Sequence, residues 1–320
     1  MATSSASQNS TIAILSAVAA SFFFSFNDMA IKFLSGDYAL HQVVLVRSLV
    51  GMTLLLVFIL PFQGGLAVLK TKRLPIHLLR GFCVVVANMT FFLGLAAMPL
   101  ADAVAVFFVA PLIITALSVF FLGETVGPRR WLAVGVGMLG VLVMLRPGQG
   151  SFQVAALLPL IAACAYALIH ILTRKIGGTE RAITMIFYIQ LTFILVSAAI
   201  GLALGNGRFA GWDDPSLDFM FRAWSWPGTD DYVIFLLIGA ASTGGGYFIS
   251  QAYRLGEAAL IAPFEYVAML LAIFWGVAVF GTLPDGIAWI GIALIVGSGV
   301  FVFWREALVQ RRVSARLPLR

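Results

Sequence analysis

The sequence predicts an all-α integral membrane protein of ten transmembrane helices arranged as two inverted five-helix repeats. Three observations carry that expectation. The 320 residues are 61% hydrophobic and only 11% charged, and their mean hydropathy of +1.02 lies well outside what a domain with a water-facing surface sustains. The apolar residues fall into runs of roughly the 20 residues that a helix needs to cross hydrocarbon. A long stretch of the second half also matches one in the first.

The apolar runs lie near 11–34, 41–61, 76–98, 102–122, 130–145, 153–173, 182–204, 232–254, 259–280 and 286–304. No Lys or Arg precedes the first run, so it lacks the basic flank of a secretory signal and is expected to stay as a span. Basic residues then set the orientation. With the N-terminus inside, the cytoplasmic loops and helix ends hold Lys70, Lys72, Arg73, Arg80, Arg129, Arg130, Arg174, Lys175, Arg181, Arg254, Arg305, Arg311, Arg312, Arg316 and Arg320, fifteen of the 20 basic residues. Arg146, Arg208 and Arg222 fall outside, while Lys32 and Arg47 lie within spans. Both termini are therefore expected in the cytoplasm, and the net charge of +6 marks topology, with no nucleic-acid surface. Cys83 and Cys164 sit in apolar runs without the spacing of a metal site or redox pair, and read as core fillers.

The repeat is seen by placing Gly123 on Gly281, which brings Trp131 onto Trp289 and Ala101 onto Ala259 without a gap. Five spans per half is an odd number, so the halves must insert in opposite orientations. The expected units are 11–146, 153–304 and a basic cytoplasmic tail, 305–320. Inverted repeats of this kind place a substrate near the midplane, between the halves.

The runs "PLADAVAVFFVAPLIITALSVFFLGETVGPRRWLAVGVGMLGVLVMLRPG" and "APFEYVAMLLAIFWGVAVFGTLPDGIAWIGIALIVGSG" resemble the two halves of an EamA-type transporter of the drug/metabolite transporter superfamily. The resemblance covers nearly the whole chain and implies ten helices, two inverted repeats and secondary transport of small metabolites across the bacterial inner membrane. "LRPG", "APFEY" and "FGTLPD" resemble a bacterial subgroup that includes riboflavin importers and S-adenosylmethionine uptake carriers. Thr282 stands where the first half has Glu124, so the halves differ at that turn.

Ionisable groups within spans are costly, about 2.5–3.5 kcal/mol each at mid-bilayer, and call for partners or a water-filled cavity. Asp28 and Lys32 have the spacing and order of a helical ion pair, with Lys32 free to reach the interface. Asp28 lies at a depth comparable to that of Arg47, whose own span holds no acid, so an Asp28–Arg47 pair is also expected. Glu265 follows Pro263 and could pair with Arg254 or serve a coupled proton. His170 reads as an interfacial residue beside Arg174. Asn88 aligns with Gly246 in "STGGGYF", where three glycines permit either a close helix crossing or a broken helix, and Pro111 suggests a kink. Asp28, Arg47, Asn88, Tyr247, Gln251, Glu265 and Tyr266 are the candidate substrate-binding or coupling residues. The segment 205–231, rich in Trp and Asp, reads as an amphipathic surface stretch, with a lid as the alternative.

Three histidines, no His-Glu-x-x-His and no Gly-x-Ser-x-Gly give no support to an enzyme. No phosphate-binding Gly-x-x-x-x-Gly-Lys-Ser/Thr loop occurs, so transport is expected to be downhill, exchanging or ion-coupled. No cofactor or metal is expected; a small molecule and the lipid bilayer are the expected partners, with riboflavin uptake first and S-adenosylmethionine uptake, or export of amino acids or other metabolites by the same fold, as the alternatives. The sequence assigns no oligomeric state.

Overall fold

A computed structural model describes residues 2–122, 127–145, 154–176, 180–255 and 264–314. The regular structure of the described residues is helical, with no strand among them. In chain order the helices are α1 (Ala2–Leu34), α2 (Leu40–Leu54), α3 (Leu74–Ala97), α4 (Leu100–Phe107), α5 (Ala110–Leu122), α6 (Pro128–Leu145), α7 (Leu157–Ile176), α8 (Ala182–Leu204), α9 (Pro215–Phe221), α10 (Asp231–Leu255), α11 (Val267–Phe280) and α12 (Gly286–Ser314). A π turn, Leu55–Ile59, and 3-10 turns continue α2 towards Leu69. Six stretches are long and apolar enough to cross a membrane: Thr11–Leu34, Leu40–Gln63, Leu74–Ala97, Leu100–Phe121, Ala182–Leu204 and Asp231–Tyr253. Trp131–Leu145, Leu157–Thr173, Val267–Phe280 and Gly286–Phe301 are shorter apolar helices. This is an all-helical integral membrane protein.

The packing is organised by small residues that let backbones approach. α1 lies along α10, and α3 lies along α7. At the first contact a side chain on Gly245 would run into the Phe24 ring, 2.8 Å from its Cε1; at the second, one on Gly94 would meet Pro159 Cδ at 2.6 Å. The three glycines of "STGGGYF" thus serve a close crossing, and α10 runs unbroken through them. α2 packs on α8 and α10, and α6 packs on α12 through Gly140 and Gly291.

The span expected at 102–122 is interrupted. α4 stops at Phe107 and α5 begins at Ala110, because Pro111 has no N–H and its ring crowds the carbonyl four residues earlier, that of Phe107. The turn at Thr282 is a helix stop: Gly281 takes φ +63°, its N–H bonds the Val277 carbonyl at 3.2 Å, and the Thr282 N–H reaches back to the Gly276 carbonyl at 2.9 Å, a closure that a left-handed glycine permits. Glu124, Gly123, Pro263 and Ala258–Ala259 lie outside the described residues.

The segment 205–231 is docked onto the bundle. Asp214 caps the short α9 by accepting from Ser216 N and Leu217 N, at 2.9 and 3.0 Å. Phe219 is fully buried, Ser216 donates to the Leu93 carbonyl, and Trp224 lies against Gly201 and Gly205. Gln42 and Ser225 exchange hydrogen bonds in both directions. Trp226 remains exposed, as an interfacial aromatic would be.

Candidate functional site

A cavity of about 220 Å³ runs up the centre of the bundle, between α1, α2, α3, α4, α7, α8 and α10 and the Glu265 approach to α11. That is room for on the order of fifteen waters. Polar side chains gather at two levels, and aromatic rings line the space around them. Phe24, Phe91, Phe92, Phe107, Phe108 and Phe193 all face it.

The first level is built on Arg47, which is 1% exposed. Its Nη1 donates to Asn27 Oδ1 and its Nη2 to Asn88 Oδ1, both at 3.4 Å. The rings of Phe92 and Phe193 lie 5.4 and 5.0 Å from the guanidinium carbon, a cation–π arrangement that gains strength away from water. Asp28 does not contact Arg47 directly. Asn27 stands between them, accepting from Arg47 through Oδ1 and donating to Asp28 Oδ1 through Nδ2 at 3.1 Å. The expected ion pair is therefore an amide-bridged relay. Its physical reason is local: Asn27 has both a donor and an acceptor at the same depth, whereas Asp28 is one residue round the helix.

Lys32 also departs from expectation. Instead of pairing with Asp28, its ammonium donates to the Leu95 and Met98 carbonyls, at 2.7 and 2.6 Å, and sits over the Phe280 ring. These are the orphan carbonyls at the end of α3, where a cation also meets the negative end of the helix dipole.

The second level is built on Glu265. Tyr253 donates to Oε1, and Tyr166 donates to Oε2 at 3.2 Å. His170 lies between the same two tyrosines, with ring centroids 4.4 and 4.5 Å away. Arg80, 3% exposed, donates from Nε to Thr173 Oγ1 at 3.1 Å and faces the cavity. It had been counted with the charges of a helix end; six residues into α3 it lies about 9 Å along the axis, deep enough to be enclosed. Ser21 donates to the Phe264 carbonyl. Ser21 and Asp28 are seven residues apart on α1, so the two levels are separated by about 10 Å.

Of the expected site residues, Asp28, Arg47, Asn88 and Glu265 line the cavity, and Gly246, aligned with Asn88 in the repeat, does too. Tyr247, Gln251 and Tyr266 are not among its lining residues. Tyr247 packs with Leu55, Leu60, Ile183 and Ile186. Tyr266 stacks on Phe108 with centroids 5.1 Å apart, and its phenol presses on Gly299 of α12. Adjacency to a polar residue misled at these positions because successive helical residues point about 100° apart. Arg80, Tyr166, His170, Thr173 and Tyr253 were not expected at the site. The spacing of Tyr166, His170 and Thr173 on α7, a polar stripe at i, i+4 and i+7, is the signal that could have found three of them. The Arg254 side chain lies outside the described residues.

Residues 11–146 match the EamA-like transporter family. The match covers the first of the two expected repeats. The riboflavin transporter of Rhizobium johnstonii is 29% identical over 257 residues, covering 80% of this chain and 79% of the relative. The S-adenosylmethionine uptake transporter of Rickettsia prowazekii is 25% identical, covering 88% and 89%, and the pseudopaline exporter of Pseudomonas aeruginosa is 28% identical, covering 88% and 93%. A solved crystal structure superposes with a TM-score of 0.66 at 19% identity, over 91% of this chain and 96% of that one, a likeness of fold. Its apolar helices make the chain a multi-pass membrane protein, and its similarities are to bacterial membrane transporters.

Proposed function

We propose that this chain is a secondary transporter that moves a small, flat aromatic metabolite across the inner membrane by alternating access, using ten spans in two inverted repeats, 11–146 and 153–304, with both termini and the basic tail 305–320 in the cytoplasm. The helix contacts support the repeat. If α1, α2, α3, α4 with α5, and α6 are exchanged for α7, α8, α10, α11 and α12, the packing of α1 on α10 becomes that of α7 on α3. The packing of α10 on α2 likewise becomes that of α3 on α8, and α2 on α8, α6 on α12 and α4 on α11 map onto themselves. We read this exchange as a pseudo-twofold relation between the halves, with the cavity between them as the place where alternating access requires a substrate to be held.

The observation that carries the substrate class is the cavity wall, in which aromatic rings surround two separated sets of hydrogen-bonding groups. A flat ring system stacks on the former and is oriented by the latter. Riboflavin is the first candidate, in keeping with the relative it names. S-adenosylmethionine is the second, favoured by Glu265 between Tyr166 and Tyr253, since a carboxylate among aromatic faces suits a sulfonium. Neither candidate requires an enzymatic step. Because relatives at similar identity include uptake transporters and an exporter, import is the direction to be tested. Expression in a bacterium unable to make riboflavin should restore growth on low external vitamin, with saturable uptake of labelled flavin and counterflow from preloaded vesicles. A well-expressed chain that transports neither compound sinks this substrate class, and flux without saturation or counterflow sinks the carrier.

A further inference from the structure

We propose that Arg80 forms an oxyanion subsite at the α3–α7 end of the cavity and takes a carboxylate carried by the transported metabolite. The proposal rests on the transporter reading above and narrows its substrate class.

Arg80 and Arg47 occupy the same cavity but are satisfied very differently. Arg47 has an amide oxygen on each terminal nitrogen and an aromatic ring on two sides, and among the described residues it lacks a partner only at Nε. Arg80 has one partner among the described residues, the Thr173 hydroxyl, and its Nη1 has none. Thr173 cannot neutralise it. The hydroxyl proton is already committed to the Ile169 carbonyl at 2.7 Å, which turns a lone pair towards Arg80 Nε and fixes the plane of the guanidinium. One edge of the fork is thus held by the protein while Nη1 is left open.

The nearby acid does not close it. Both oxygens of Glu265 accept from tyrosines, Oε1 from Tyr253 and Oε2 from Tyr166, and no ion pair joins Arg80 to an acid among the described residues. His170, one turn before Thr173, also faces the cavity, with its Nε2 unpartnered among the described residues. It adds a second open nitrogen on the same wall. A buried guanidinium without a counter-charge is costly within a membrane span, and its planar fork matches a carboxylate or phosphate better than any neutral group. Such a site is completed by an oxyanion that arrives and leaves.

The spacing says what else that molecule carries. Along α7, Tyr166 and Thr173 are seven residues apart, about 10 Å along the axis. A ligand anchored at Arg80 therefore extends past His170 before it reaches the Glu265 tyrosines, with Phe107 packed on Tyr166 at 5.1 Å beside its ring. The ligand class is an aromatic metabolite with an oxyanion on a flexible arm. S-adenosylmethionine has such a carboxylate. Riboflavin has no anionic group, so the subsite separates the two candidates.

The test uses the full chain in lipid nanodiscs and ligand pairs that differ by one oxyanion: S-adenosylmethionine against its decarboxylated form, and riboflavin 5′-phosphate against riboflavin. The carboxylate-bearing member of the first pair should bind at least ~10-fold tighter, the size of one charge-assisted hydrogen bond. Arg80→Gln should erase the difference, Arg80→Lys should keep part of it, and Thr173→Val should lie between. A preference for the phosphate in the second pair that Arg80→Gln also removes would identify a phosphate as the oxyanion carried. Thermal midpoints in sodium acetate and sodium succinate against sodium chloride, at one ionic strength, test the subsite without any assumed metabolite: a rise in the wild type that Arg80→Gln abolishes supports it. Equal affinities within both pairs, discrimination that survives Arg80→Gln, or carboxylates that stabilise wild type and Arg80→Gln alike would each overturn it. If carboxylates act through Arg80 while none of the four ligands binds, the subsite stands and the proposed substrate list falls.

Discussion

The two polar levels of the cavity use the same residue types to different ends. At the Arg47 level, Asn27, Asn88, Phe92 and Phe193 enclose one guanidinium, and Asp28 is held at one remove through Asn27. At the Glu265 level the carboxylate has two phenol donors, while His170 Nε2 and, farther along α7, Arg80 Nη1 have no partner among the described residues; at Arg47 the unpartnered atom is Nε and both terminal nitrogens are held. A guanidinium with both terminal nitrogens held ties α1, α2 and α3 together, whereas one with a terminal nitrogen unpartnered is, on the reading proposed above, completed by a ligand. On that proposal the difference separates the part of the cavity that supports the fold from the part that recognises a ligand.

The sharpest way to break that comparison is on stability. Arg47→Met should lower unfolding stability in detergent by about 3–5 kcal/mol, because it strands the amides of Asn27 and Asn88. An Arg80→Gln variant that lost as much would erase the distinction drawn here. Next in size is Gly51→Val. A Cβ at Gly51 meets the Thr243 hydroxyl and lies 2.6 Å from Gln190 Nε2, so the α2–α8–α10 contact should loosen by about 1–3 kcal/mol, read as a lower thermal midpoint. Lys32→Met should cost about 1–2 kcal/mol by uncapping α3, with no added penalty when combined with Asp28→Asn. A coupling between those two would restore the ion pair that the geometry denies. The smallest stability effect belongs to Glu265→Gln. An amide still accepts from one tyrosine, so the loss should stay near 1 kcal/mol while ligand binding and uptake fall, and an unfolded Glu265→Gln protein would make that carboxylate a structural residue.

Much of the fold was legible in the sequence, and for a plain reason. In lipid every backbone group must be satisfied within its own helix, so apolar run length predicts helices directly, and the expected boundaries of the third and seventh runs fall within two residues of α3 and α8. Polar partners were less legible. The sequence shows that Asp28, Lys32 and Arg47 need company within the membrane. It does not show that a helix end would supply backbone carbonyls to Lys32, or that the neutral Asn27 would come between the two charges. Arg80 was hidden by its proximity to Lys70, Lys72 and Arg73, which made it resemble the last member of a basic loop. Tyr166 and Tyr253 were hidden because aromatic residues are frequent along this chain; their hydroxyls matter only once Glu265 is brought between them.

The long partnership of α1 with α10 sets an order on the birth of this protein. α1 ends at Leu34, yet α10 begins only at Asp231; at ribosomal speeds of about 5–20 residues per second, the first helix waits on the order of ten to forty seconds for its main neighbour. Its charges do not wait so long. Arg47 follows almost at once, with its link to Asn27, and the carbonyls that receive Lys32 arrive with the end of α3. The nascent chain can therefore quiet the polar end of its first helix using only what has already left the ribosome. Glu265, by contrast, enters the membrane after both of its tyrosines, into a pocket whose other walls, Ala268 and Ala272 apart, have already been synthesised.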